Sequence, residues 1–129
     1  MAYRRFAPHF VRKQGVQGVG VFTTKPVKKG HLLFKLTGKI LTAPTRTSVE
    51  IGKNRHVENA IAQYVNHSCA PTAKVVKKNR EFVSVRDIEK GEEITFDYNK
   101  NESVLASPFK CRCCHKKVIG RKAMALKKK

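Results

Sequence analysis

Acidic residues are missing from both ends of this 129-residue chain: none precedes Glu50 and none follows Glu102. All nine acids lie between those two positions together with nine Lys and Arg, so that stretch carries no net charge. Residues 1–49 hold ten basic residues and 103–129 hold nine, which accounts for the whole formal charge of +19. A field of that sign at both ends attracts nucleic acid or an acidic protein surface, and is silent about fold. Long apolar runs are also lacking. The longest are a few residues, such as Leu32-Leu33-Phe34, too short to span a membrane. The N-terminal MAYRRFAPHF has neither the apolar run nor the small-residue cleavage site of a signal peptide. The chain therefore reads as intracellular, where its four cysteines suggest metal ligands or thiols rather than disulfides. No internal repeat is present. The length and a hydrophobic fraction of 40% suit one domain with a modest core.

What is present is strand-like. Residues 1–14 read as an irregular basic lead-in. From Gly15 onward, VFTTK (21–25) and HLLFKL (31–36) flank the turn PVKKG, and SVEIG (48–52) and RHVE (55–58) flank Lys53-Asn54 as a hairpin. AKVVK (73–77), REFVSVRDI (80–88) and EEITFDY (92–98) follow, leaving only NAIAQYV (59–65) for a helical turn. Short strands at close spacing predict a mainly β domain built on hairpins. After Pro108 the chain turns cysteine-dense and basic, with too few apolar residues to dock by burial alone.

Four motifs carry chemistry. GVQGVG (15–20) is not a dinucleotide fingerprint, because its glycines run G-x-x-G-x-G and β-branched residues follow. Gly18 and Gly20 do permit positive φ or close approach of a ligand. In YVNHSCAPTA (64–73), His67 and Cys69 stand two apart on an extended segment. A nucleophile would also need an orienting third group and an oxyanion site, so Cys69 reads as a buried structural cysteine. CRCCH (111–115) crowds three thiols and an imidazole together, which suits zinc. The fourth ligand could be His115 or Cys69, the chain's other cysteine. GEEITFDYN (91–99) reads as an alternating strand with Phe96 and Tyr98 on one face, the Tyr98 hydroxyl seeking a hydrogen bond.

Taken together, G-x-G-V-F, N-H-S-C-x-P, G-E-E-I-T-F-D-Y and a following P-F-x-C-x-C resemble the SET-domain lysine methyltransferases with their post-SET segment, from about Gly15 to Gly120. The resemblance implies a β-clip fold of small curved sheets. In it the chain around F-D-Y passes the N-H-S-C segment in a pseudo-knot, with a short zinc-binding C-terminal segment. The implied divisions are a lead-in (1–14), a SET domain (15–100) and a post-SET segment with a basic tail (101–129). It further implies S-adenosylmethionine as cofactor, with Gly18, Val19 and Gly20 contacting it through backbone and Asn66 and His67 holding its methionine and adenine parts. Tyr98 matches the catalytic tyrosine, also against the cofactor, and Phe96 the position that limits methyl number. Cys69, Cys111, Cys113 and Cys114 would bind zinc, with His115 as substitute. Thr72 stands where the family usually has Asn, and Val118 where the spacing C-x-C-x₄-C puts the third post-SET cysteine. The implied activity is methyl transfer to a protein lysine, in a histone or another nucleic-acid-associated protein. The competing readings are an inactive SET fold that binds peptide and a small basic zinc module for nucleic acid. The location would be nucleus or chromatin in a eukaryote or virus, and cytoplasm in a prokaryote.

Overall fold

A computed structural model describes residues 4–7, 9–15, 18–103, 105, 109–110, 117–118 and 120. The strands in chain order are β1 (Arg4–Ala7), β2 (Phe10–Gly15), β3 (Gly18–Thr23), β4 (Leu32–Lys35), β5 (Lys39–Leu41), β6 (Val49–Gly52) and β7 (Arg55–Glu58). A 3₁₀ turn (Ala62–Tyr64) leads to β8 (Asn66–His67), β9 (Ala73–Val76), β10 (Glu81–Ser84) and β11 (Glu93–Phe96). One helical turn, α1 (Tyr98–Asn101), precedes β12 (Phe109–Lys110) and β13 (Lys117–Val118). They form small sheets in the orders β1-β2-β3-β11-β8, β4-β10-β9, β5-β7-β6 and β12-β13, the mainly β architecture the sequence predicts. Among the described residues no helix is long and apolar enough to cross a membrane.

The sheets meet on one core. On β10 the alternation in EFVS turns Phe82 and Ser84 inward. β11 lies between β3 and β8 with both faces covered, so Ile94, Thr95 and Phe96 are buried in succession rather than alternately. Phe34 stacks on Phe82 at 4.8 Å, Phe82 meets the edge of Phe96 at 5.1 Å, and Phe96 meets Tyr98 at 4.6 Å. This line of rings carries core rigidity to α1.

Asn59 precedes the 3₁₀ turn and holds its start. Its side-chain oxygen accepts from the Ile61 and Ala62 N–H groups, and its amide donates to the Lys35 and Thr37 carbonyls. Thr72 makes a reciprocal staple to β11: its N–H donates to Thr95 Oγ1, the Thr95 N–H donates to Thr72 Oγ1, and the Thr72 hydroxyl donates to the Glu93 carbonyl. A threonine at this position thus completes the join of the NHSC segment to the sheet.

Two expectations are corrected. The N-terminal segment is not an irregular lead-in: β2 pairs with β3 from Phe10 opposite Thr23 to Gly15 opposite Gly18, and β1 adds to its edge. Its basic residues obscure the pattern because they cover aromatic rings, Arg12 over Tyr64 at 4.5 Å and Lys13 over Phe22 at 4.6 Å. The strand GEEITFDY stops at Phe96. Asp97 caps α1 by accepting the Asn99 N–H at 2.9 Å, so Tyr98 opens a helical turn instead of continuing the alternation.

Candidate active site

The glycine-rich hairpin supplies one wall. Gly18 has φ +96°, a conformation that only glycine adopts without strain, and a Cβ there would meet nothing within 4 Å. Gly20 is glycine for a different reason. A Cβ there would overlap Glu93 Oε2 and lie 3.0 Å from Asn66 Nδ2, so the close approach is made by the protein's own side chains. Between them Val19 is exposed, and its carbonyl accepts from Asn66 Nδ2 at 3.0 Å.

The NHSC segment supplies the second wall. β8 runs parallel to β11, with Asn66 opposite Thr95 and His67 opposite Phe96, and the Ser68 N–H continues the ladder to the Phe96 carbonyl. A parallel pair thus brings together segments separated by roughly 30 residues, the adjacency expected of the F-D-Y and N-H-S-C segments. His67 is 2% exposed. Its Nδ1 accepts the Tyr98 N–H at 3.0 Å, so a neutral ring carries its proton on Nε2, which lies 3.6 Å from Cys69 Sγ. The imidazole therefore donates to the sulfur while its other nitrogen holds the start of α1.

Cys69 is half-buried, not buried as expected. A sulfur that receives an N–H bond suits a thiolate ligand. Cys111, Cys113, Cys114 and His115 lie outside the described residues, and among the described residues no group of three metal-ligating side chains occurs.

Tyr98 joins the two walls to a cleft. Its hydroxyl donates to the Val65 carbonyl at 2.6 Å, the partner its burial requires. Burial, with the charges of Glu102 and Glu93, pushes its pKa well above the ordinary tyrosine value. The phenol stays protonated and acts as a donor. Phe96, 3% exposed, packs beside it. Both line a narrow cleft with Thr47, Val49, Ala62 and Glu102, whose cavity of about 20 Å³ holds little more than a water.

A family model described as the SET domain matches residues 18–99. The chain belongs to the SET-domain family. Histone-lysine N-methyltransferase 2D of Homo sapiens is 30% identical over an alignment of 128 positions that covers 81% of this chain and 2% of that protein. The "Histone-lysine N-methyltransferase, H3 lysine-36 specific" of Yarrowia lipolytica is 26% identical across 81% of this chain and 17% of its own length. The "Variant-silencing SET domain-containing protein" of Plasmodium falciparum is 26% identical across 80% of this chain and 5% of its own length. This chain thus spans a small part of each of these relatives.

Within this SET domain, the sequence-derived candidates Gly18, Val19, Gly20, Asn66, His67, Phe96 and Tyr98 converge across β3, β8, β11 and α1. Three others escaped the sequence reading. Glu93 donates no motif of its own, yet its carboxylate accepts from Asn66 Nδ2 at 2.9 Å. Asn99 holds the C-terminal segment, donating to the Lys117 carbonyl at 3.0 Å and accepting the Gly120 N–H at 2.9 Å. Glu102, four residues after Tyr98, shares its face of the helical turn and lines the same cleft. An available signal was charge placement: Glu93 is an acid on a strand whose next three residues are buried.

Proposed function

We propose that this chain is a lysine methyltransferase that takes a methyl group from S-adenosylmethionine and places it on a protein lysine. The observation that carries the reading is the position of Tyr98. Its backbone bonds His67, its hydroxyl bonds Val65, and its ring borders Phe96 in the cleft. The residues present fit the cofactor: an open backbone at Gly18, an exposed Val19 and a half-buried Asn66 face one seam, with His67 and Tyr98 beside it. When bound, the cofactor supplies an electrophilic methyl on a positive sulfonium.

The protein's own contribution is alignment, because an in-line displacement needs positioning more than proton transfer. A free lysine has a pKa of about 10.4, and its amine must be neutral to react. The rings of Phe96 and Tyr98 disfavour the ammonium by desolvation, so the site assists loss of the proton. Tyr98, protonated throughout, orients the amine and does not serve as a base.

Under this reading residues 15–100 form the catalytic unit and 101–129 a post-SET segment. One zinc ion is held by Cys69, Cys111, Cys113 and Cys114, with His115 able to substitute. The substrate is a histone or another chromatin-associated protein, and the basic ends contact nucleic acid, which places the protein at chromatin in a nucleus. Incubation with methyl-labelled S-adenosylmethionine and core histones tests the activity. Labelled lysine is expected, and binding of cofactor without any transfer would favour an inactive, peptide-binding SET fold instead. Elemental analysis of protein purified without chelator should find one zinc per chain.

A further inference from the structure

We propose that Glu93 is a cofactor-positioning residue: it fixes the Asn66 carboxamide, and the two side chains together present acceptor oxygens to the ammonium of the cofactor's amino-acid end. The inference rests on the methyltransferase reading. Asn66 Nδ2 has two hydrogens and both are engaged, one by the Val19 carbonyl at 3.0 Å and one by Glu93 Oε2 at 2.9 Å. A flipped amide would set its oxygen against a carbonyl and a carboxylate, so the orientation is determined. Oδ1 of Asn66 and Oε1 of Glu93 accept no hydrogen bond from the described residues. The pair therefore offers a ligand acceptors only.

The space for this carboxylate is built into the fold. Gly20 lacks the Cβ that would overlap it, and a Cβ on Gly15, in the neighbouring strand, would lie 3.6 Å from Glu93 Oε1. Its charge also lacks a cation partner among the described residues, as do those of Glu58, Asp87, Glu89 and Glu102. Glu50 pairs with Lys77, Glu81 with Lys35 and Glu92 with Arg86, but among the described residues no cation lies within ion-pair distance of Glu93. Lys13, on β2, covers the Phe22 ring. Burial raises the Glu93 carboxyl above its ordinary pKa, and the Asn66 amide offsets this only in part. A half-buried acid with one amide partner is under-satisfied, and a cationic donor completes it.

The test is calorimetric binding to the full chain and to Glu93→Gln. The probes are S-adenosylmethionine, S-adenosylhomocysteine and 5′-methylthioadenosine, the last of which lacks the amino-acid end. Glu93→Gln should weaken the first two by about ten- to a hundredfold, the range for losing a charge-assisted hydrogen bond, and leave the third unchanged. Equal weakening of all three, or of none, would overturn the role assigned to Glu93. Weakening of S-adenosylmethionine alone would overturn it too, because that places the charge at the sulfonium. If Glu93→Gln melts well below the unaltered chain, Glu93→Asp keeps the charge and should show the same selectivity with a smaller loss. Failure of the unaltered chain to bind either amino-acid-bearing probe would instead remove the methyltransferase reading itself.

Discussion

At the residue scale, Tyr98 and Phe96 divide positioning from pocket shape. Tyr98→Phe deletes a single oxygen from the 2.6 Å bond to the Val65 carbonyl and keeps the ring against His67 and Phe96. Turnover should fall about a hundredfold while cofactor affinity stays within about twofold, since alignment is lost and shape is kept. Near-normal turnover on the same histone substrate would take Tyr98 out of the mechanism. Phe96 packs between the rings of Phe82 and Tyr98. A hydroxyl added by Phe96→Tyr enters the cleft, narrows it, and holds either the amine or a water. Products of the unaltered chain should include di- or trimethyl-lysine, and those of the variant should shift to monomethyl-lysine, read by mass spectrometry of the modified histone. Exclusive monomethylation by the unaltered chain would contradict this.

At the element scale, what was legible in the sequence was whatever had a local cause. The hairpin at Lys53-Asn54 formed as read, with Asn54 at φ 54°, because the turn residue tolerates that conformation. The 3₁₀ turn fell inside NAIAQYV because Asn59 starts it from its own side chain. Elements with a tertiary cause were missed. β8 is two residues long and exists as a strand through its parallel partner β11. β2 is a strand because β3 lies beside it and its cations rest on Tyr64 and Phe22. The site motifs were legible because they are contiguous, whereas Glu93 and Asn99 act on residues far along the chain. Composition alone does not reveal how the C-terminal segment docks. In the fold Val118, at the place of a family cysteine, is 0% exposed and pairs with Phe109, whose ring meets His67 and Tyr98. Apolar contact and Asn99 thus hold this segment in addition to any metal. Asn99→Ala removes both clamping bonds and should raise hydrogen exchange at 117–120 by about ten- to a hundredfold, while the protection of β3, β10 and β11 stays unchanged. Unchanged exchange at 117–120 would show that Val118 alone secures the segment.

At the scale of the whole molecule, a chain of net charge +19 keeps two of its nine acids together in the interior. Glu50, on β6, accepts from Lys77 at 2.7 Å and from the Ser103 N–H and hydroxyl, while Glu102 accepts from the Glu50 N–H at 2.9 Å and from Asn101. One cluster therefore ties β6, the end of β9 and the end of α1 beneath the cleft. The two carboxyls shift in opposite directions. Burial raises Glu50, but the Lys77 ammonium and Ser103 outweigh it and hold the group below its ordinary value. Burial pushes Glu102 from 4.5 up to about 7, and the Glu50 charge adds to the rise against the pull of the Glu50 N–H, Asn101 and Lys77. Between those two values the folded chain retains a proton on Glu102 that the unfolded chain has released, so stability falls as pH rises through that window. The full cost above pH 7 is about 3 kcal/mol. Glu50 has the reverse sign: its contribution is present above the ordinary carboxyl pKa and is lost as pH falls through its lowered one. Stability should therefore be greatest near the lower edge of the Glu102 window. Glu102→Gln keeps an oxygen for the Glu50 and Asn101 donors and removes the titration. In denaturant unfolding followed from pH 5 to pH 8, the unaltered chain should lose stability steadily. The variant should lose far less. At pH 8 Glu102→Gln should then be the more stable of the two by up to about 3 kcal/mol. Parallel curves for the two proteins would mean that the cleft carboxyl is already ionised at pH 5, and that Lys77 compensates Glu102 as fully as it does Glu50.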